Sequence, residues 1–201
     1  MKGFILNTQL VKEEDLLVTI LTKNRVLKLY RFYGARHSIV NIGFFIDFEI
    51  EENIRIDRLR HIYHIPFPFL MDINKMNIWQ TFIKLLYKHL FDIEKVDSFY
   101  FELLNKIIFS FHRNPKRVLI ENYTKLIEFE GRLSSFECFL CEKVIHNRVN
   151  LTRGFLCACE NCIPKKGFEI IKIETLFKEK KTILLDDKEI ETLYQILLLG
   201  I

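Results

Sequence analysis

The spacing of apolar positions changes about a third of the way along the chain. In residues 44–56, "FFIDFEIEENIRI", Phe44, Ile46, Phe48 and Ile50 fall on one face of an extended segment. Phe45, Asp47, Glu49 and Glu51 fall on the other. That alternation marks a half-buried strand. Four further stretches, "GFILNTQLV", "LLVTILT", "RVLKLYRFYG" and "IRIDRLRHIYHI", carry similar β-branched and aromatic content. About five strands in this space predict a small closed β-barrel, because an open sheet would expose its edges. Among five-stranded barrels the OB-fold is the expected one, and such barrels often bind single strands or oligosaccharides.

Pro66 and Pro68 in "IPFPF" interrupt this pattern. A domain boundary is expected just beyond them, giving a barrel over residues 1–70 and a second domain over 71–201. From there the period is helical. Met76, Trp79, Ile83, Leu86 and Leu90 recur at steps of three and four on one helix face. A second helix is expected over "DSFYFELLNKIIFSF", with Asp97 or Ser98 as its cap. A third opens on Asn114 with Pro115 at its first position and ends near Gly131. A last helix, "LDDKEIETLYQILLL", is capped by Asp186 or Asp187, with Glu189 in its first turn. The expected class is therefore α+β: an OB-fold barrel, then a mostly helical domain.

Into that second domain is inserted "CFLCEKVIHNRVNLTRGFLCACENC", which holds all five cysteines. Cys138/Cys141 and Cys159/Cys162 each leave a two-residue gap, which lets a tight turn aim two thiolates at one ion. Two such pairs separated by a loop read as a structural zinc site, and a zinc module is expected over residues 136–164. Cys157 and Cys159 are alternate residues of an extended segment and point opposite ways. The expected ligand set is Cys138, Cys141, Cys159 and Cys162. A set pairing Cys157 with Cys162 stays open, since its wider gap also occurs in zinc sites. Four thiolates fill the shell, which favours a structural Zn2+ over a catalytic one.

Charge adds a second feature. The net charge of +4 is mild, but from Lys23 to Arg36 there are cations at Lys23, Arg25, Lys28, Arg31 and Arg36 and no acid. Tyr30, Phe32 and Tyr33 interleave with them. A single-strand binder needs cations along the phosphates and aromatic faces for the bases. On a strand, Lys28, Tyr30 and Phe32 share one face, while Leu27, Leu29 and Arg31 share the other. An ordinary strand with solvated charges fits the same composition, and both readings stay open here. The groups His112, Arg113, Lys116, Arg117 and Lys165–Lys166 read as solvated helix ends or loops. Phosphate-loop, nucleophile-elbow and zinc-hydrolase motifs are missing from the sequence, so no enzyme is expected. No targeting segment or membrane span is expected either, which points to the cytoplasm, where thiols stay reduced and clustered cysteines favour a metal.

The run "GFILNTQLVKEEDLLVTILTKNRVLKLYRFYGARHS" resembles the start of the bacterial recombination mediator family RecO. The resemblance is carried by the opening "GFIL", the acidic turn "KEED" before "LLVTILT", and the closing "GAR". The "CFLC" and "CENC" pairs resemble the zinc module of many members, and the order of parts agrees. The resemblance implies a non-enzymatic protein of DNA repair and recombination that binds single- and double-stranded DNA and anneals strands. It implies work with a RecR-type partner and contact with the acidic tail of single-strand-binding protein. It also implies help in loading the recombinase, at the nucleoid during repair. The alternatives are a zinc-stapled protein–protein adaptor without direct DNA binding and, more remotely, a zinc hydrolase.

Overall fold

The computed structural model describes residues 1–36, 39–111, 113–133 and 135–201. His37 and Ser38, which follow the basic stretch, and His112 of the second basic group lie outside the described residues. The chain divides into two compact units, Met1–His112 and Arg113–Ile201.

In the first unit five strands close a barrel: β1 (Lys2–Lys12), β2 (Asp15–Leu21), β3 (Val26–Arg31), β4 (Phe45–Glu51) and β5 (Arg58–His64). Their order is β1-β2-β3-β5-β4, with β4 returning to β1. The ladders are antiparallel except β3–β5, which is parallel and meets at Tyr30 and Arg58. This is the OB-fold architecture expected from the sequence. Ile5, Val18, Ile20, Leu29, Ile46, Phe48 and Leu59 form its core.

The alternation of β4 holds on its inner face, where Phe44 and Ile50 pack against the same core. Phe45, on the outer face, is also buried, because its ring stacks on Phe4 at 4.4 Å and meets Phe101 at 6.1 Å. Phe101 belongs to the second of two helices, α1 (Ile73–His89) and α2 (Ser98–Ser110). α1 starts ahead of the expected Met76, because Asp72 caps it and accepts from the Lys75 N–H at 3.1 Å. Asp97 caps α2 through the Phe99 N–H at 2.8 Å.

Trp79 of α1 ties this pair to the barrel. Its Nε1–H donates to the Gly43 carbonyl at 2.8 Å, and Phe69, Phe82 and Phe111 surround its ring. Gly43 sits at φ +84, and a Cβ there would lie 2.8 Å from the indole. Only glycine satisfies both conditions. The barrel strands thus end near residue 64, but the compact unit continues past the boundary expected at residue 70, because α1 and α2 bury the barrel's aromatic outer wall.

The second unit holds α3 (Pro115–Phe129), β6 (Arg148–Leu151), β7 (Cys157–Ala158), β8 (Phe168–Glu169), α4 (Ile170–Glu179) and α5 (Asp187–Leu197). Asn114 caps α3 with Pro115 in its first turn, and Gly131 follows its end at φ +68. Asp186 and Glu189 form a reciprocal capping box at the start of α5. The small sheet β7-β6-β8 and the helix α4 stand where the sequence reading placed no named element. Tyr123 and Phe155 meet edge to face at 4.8 Å inside this unit. Arg117 is not a solvated helix end. Its guanidinium donates to the Thr182 and Leu185 carbonyls at 2.7 and 3.0 Å and pairs with Asp187. Among the described residues, no helix is long and apolar enough to cross a membrane.

Candidate nucleic-acid interface and candidate metal centre

The outer face of β2–β3 follows from the register. Leu17 lies opposite Tyr30, and Thr19 opposite Lys28. Leu29 points into the core with Leu27 packed beside it, so Lys28 and Tyr30 face outward. Phe32 continues their line just past the strand and is 39% exposed. The Tyr30 and Phe32 rings meet edge to face at 4.9 Å, and the Arg58 guanidinium lies 5.1 Å from the Phe32 ring. The sequence reading did not single out Arg58. β5 carries it far from the basic stretch in sequence, and only the parallel β3–β5 contact brings it alongside.

Arg31 takes the opposite side of β3, as its parity requires. Its Nη1–H donates to the Leu59 carbonyl at 3.1 Å. Among the described residues its buried Nε–H has no hydrogen-bond partner. Burial, and then the nearby Arg60, hold its pKa below the ordinary arginine value. Lys23 and Arg25 are exposed in the β2–β3 connection and, among the described residues, form no ion pair. Arg36 is exposed at the end of a short 3-10 turn over Gly34–Arg36, lies 5.3 Å from the Tyr33 ring and pairs with Glu14.

Carboxylates from elsewhere in the fold meet part of this surface. Asp15 accepts from the Tyr30 hydroxyl at 2.5 Å and the Tyr33 N–H at 2.8 Å. Those two bonds, the hydroxyl's first, hold the Asp15 carboxyl below its usual range. Asp92 takes Lys28 at 3.1 Å. Glu51 takes Arg58 at 3.2 Å and also Arg60, whose hydrogen bond most strongly lowers its pKa. The basic stretch contains no acid, yet Lys28 and Arg36 each meet one from elsewhere in the fold.

In the second unit the structure brings Cys138, Cys141, Cys159 and Cys162 together, with all four sulfurs within 4.8 Å of one another. Cys141 and Cys159 Sγ are 3.8 Å apart. The first pair sits in a hairpin turn, where the Cys138 N–H donates to the Lys143 carbonyl and the Glu142 N–H to the Cys138 carbonyl, at 2.9 and 2.7 Å. In the second, the Cys162 N–H closes a turn onto the Cys159 carbonyl at 3.1 Å. Cys157 stands outside the cluster, buried in β7. Its carbonyl accepts from the Phe139 N–H at 2.9 Å and so ties the first turn to the sheet.

Backbone N–H groups, that of Cys159 first, lower the Cys138 thiol to about 6. Hydrogen bonds to Cys141 and then Cys159 push Cys162 up to about 12. Four thiolates this close repel one another unless a cation sits among them. Four convergent sulfurs with backbone N–H support are compatible with a metal site of the tetrahedral thiolate kind.

The closed five-stranded barrel with strand order β1-β2-β3-β5-β4 places the first unit in the OB-fold class. Residues 1–70, which span the whole barrel, match the family described as RecO N terminal. The barrel of the first unit is thus similar to the RecO N-terminal domain, and the match supports a role in DNA repair and recombination. No match is found among curated proteins.

Proposed function

We propose that this protein is a recombination mediator that binds single- and double-stranded DNA, anneals strands and helps load a recombinase onto strands coated by single-strand-binding protein. The observation that carries this reading is the RecO-like barrel with Lys28 and Tyr30 on the outer face of β3 and Phe32 just past its end. Lys23, Arg25, Lys28 and Arg36 neutralise phosphates, while Tyr30 and Phe32 offer edges and faces to bases. Arg31 acts through its charge and braces β5 at Leu59.

Cys138, Cys141, Cys159 and Cys162 would hold a structural Zn2+, whose binding free energy becomes folding free energy of the second unit. These are binding and folding roles, so no catalytic step is assigned to them. The second unit also carries a groove lined by apolar Leu151, Phe168 and Ile196 and by Lys165, Lys166 and Lys188, with Glu169, Asp186 and Glu189 also in its lining. An apolar lining in which cations outnumber acids suits the acidic tail of single-strand-binding protein. A RecR-type protein would be the second partner, and the place of work is the bacterial cytoplasm, at the nucleoid.

One observation favours the adaptor reading instead: Lys28 and Arg36 are already paired with carboxylates. Fluorescence anisotropy with labelled oligothymidylate, combined with X-ray absorption at the metal, separates the two. DNA binding at low salt and four sulfur neighbours support the mediator. Four sulfur neighbours with no DNA binding support the adaptor. A nitrogen or oxygen neighbour with an exchangeable water would point to metal hydrolysis.

A further inference from the structure

The segment between α1 and α2 runs along the first half of β3. The Val26 N–H donates to the Glu94 carbonyl at 2.9 Å, and the Val96 N–H to the Asn24 carbonyl at 3.2 Å. Arg25 and Lys95 face each other as in an antiparallel pair. Among the described residues the β3–β5 backbone ladder pairs Tyr30 with Arg58 alone, so this segment satisfies an edge that barrel closure leaves open. The same segment places Asp92 on Lys28 at 3.1 Å and the Phe91 ring 5.8 Å from the Lys28 ammonium. Asp92 holds φ +63, a left-handed conformation uncommon outside glycine. A backbone paired with β3 over residues 94–96, negative charges at Asp92 and Glu94 that outnumber the one cation Lys95, and an aromatic ring are what a nucleic-acid strand would lay there.

We propose that residues 91–96 form a strap that occupies part of the nucleic-acid path and lifts from β3 when a strand reaches Lys28 and Arg25. The inference rests on the nucleic-acid reading above. Its attachment is light. The Lys28 and Asp92 side chains are 46% and 78% exposed, and exposed pairs of this kind are weak. Phe91 and Ile93 remain exposed, so little apolar burial anchors the segment. Segments held by few buried contacts open locally well below the global unfolding free energy. Strap and strand compete for one ammonium, so the strap lowers affinity.

The test uses the full chain, labelled oligothymidylate and hydrogen exchange. Asp92→Asn is expected to bind about two- to fivefold more tightly than the unmodified protein at low salt, the scale of one exposed pair. Glu102→Gln, which makes the same charge change on the exposed side of α2, is expected to have less effect. Oligothymidylate is expected to speed exchange at the Val26 and Val96 amides while the β1–β2 ladder stays protected. Equal effects of the two substitutions, an unchanged Asp92→Asn, or retained protection at Val26 and Val96 would overturn the strap while leaving DNA binding intact. If neither the unmodified protein nor Asp92→Asn binds, the nucleic-acid reading falls and the strap with it. Binding by Asp92→Asn alone would support the strap in its strongest form.

Discussion

The Tyr30 hydroxyl donates to Asp15 Oδ2 at 2.5 Å, while the Tyr33 N–H reaches the other oxygen of the same carboxylate at 2.8 Å. One acid at the start of β2 therefore fixes the aromatic end of β3. Asp15 also raises the Tyr30 phenol above its ordinary value, because the bond favours the protonated hydroxyl. In Asp15→Ala the Tyr30 ring, followed by NMR titration, is expected to ionise at lower pH than in the unmodified protein. The folded-state pKa of Asp15 lies below its unfolded value, so its stabilisation is present above about pH 4 and is lost as pH falls through the folded value. The stability gap between the two proteins should close in acid. A gap that stays constant from neutral to acid pH would show that the carboxylate's charge contributes nothing.

His64 gives a pH dependence at higher pH. Its ring lies 4.7 Å from Phe44 and 6.2 Å from Phe67, and among the described residues its buried Nε2 has no hydrogen-bond partner. Burial lowers its pKa from 6.5. The unfolded chain therefore takes up the proton first, so stability is full above about pH 6.5 and declines as pH falls from there through the folded value. His64→Phe suits the aromatic surroundings and should flatten that decline in urea titrations. Equal slopes for the two proteins between neutral pH and about pH 5 would exclude the effect.

Trp79 predicts where the first unit can be cut. Trp79→Ala removes the ring that Phe69, Phe82 and Phe111 enclose and leaves the Gly43 carbonyl without its donor. A cost of about 3–5 kcal/mol is expected in chemical denaturation. By the same logic a fragment of residues 1–112 should melt cooperatively, whereas residues 1–70 leave Phe4, Phe45 and Phe69 uncovered and should not. A cooperative melt of the shorter fragment at the same temperature would contradict this packing.

Local signals in the chain were legible and tertiary ones were not. The inner face of β4 and the caps Asn114 and Asp186 are local: alternate residues, or a side chain and an amide three residues on. They were legible for that reason. Phe45 stood on a face expected to be polar, and only Phe4 and Phe101, distant in sequence, explain its burial. α4 had a readable stripe at Ile173, Leu176 and Phe177. It lacked a start signal, since Glu169 makes no side-chain cap bond. At the candidate interface the cations and rings were legible as one basic run. Their carboxylate partners Glu14, Glu51 and Asp92 were not, because tertiary folding alone brings them there. The four cysteines were legible because paired short gaps encode local turns, and the divergence of alternate strand residues favoured Cys159 over Cys157 while leaving the Cys157 set open.

The cysteines separate a cluster from a core position. Cys138→Ser is expected to lose the metal and the chelator-sensitive part of the second unit's thermal melt. Cys157→Ala, a buried truncation outside the cluster, is expected to cost about 1–2 kcal/mol and keep the chelator-sensitive step. Equal loss of metal in both proteins would place Cys157 among the ligands.

The salt dependence of oligothymidylate binding tests the central proposal most directly. Neutralised phosphates release counterions, so affinity should fall linearly on logarithmic axes as salt rises, and Lys28→Ala should reduce the slope by about 0.7. Affinity that does not change with salt, or a slope that Lys28→Ala leaves unchanged, would contradict a nucleic-acid path over β3.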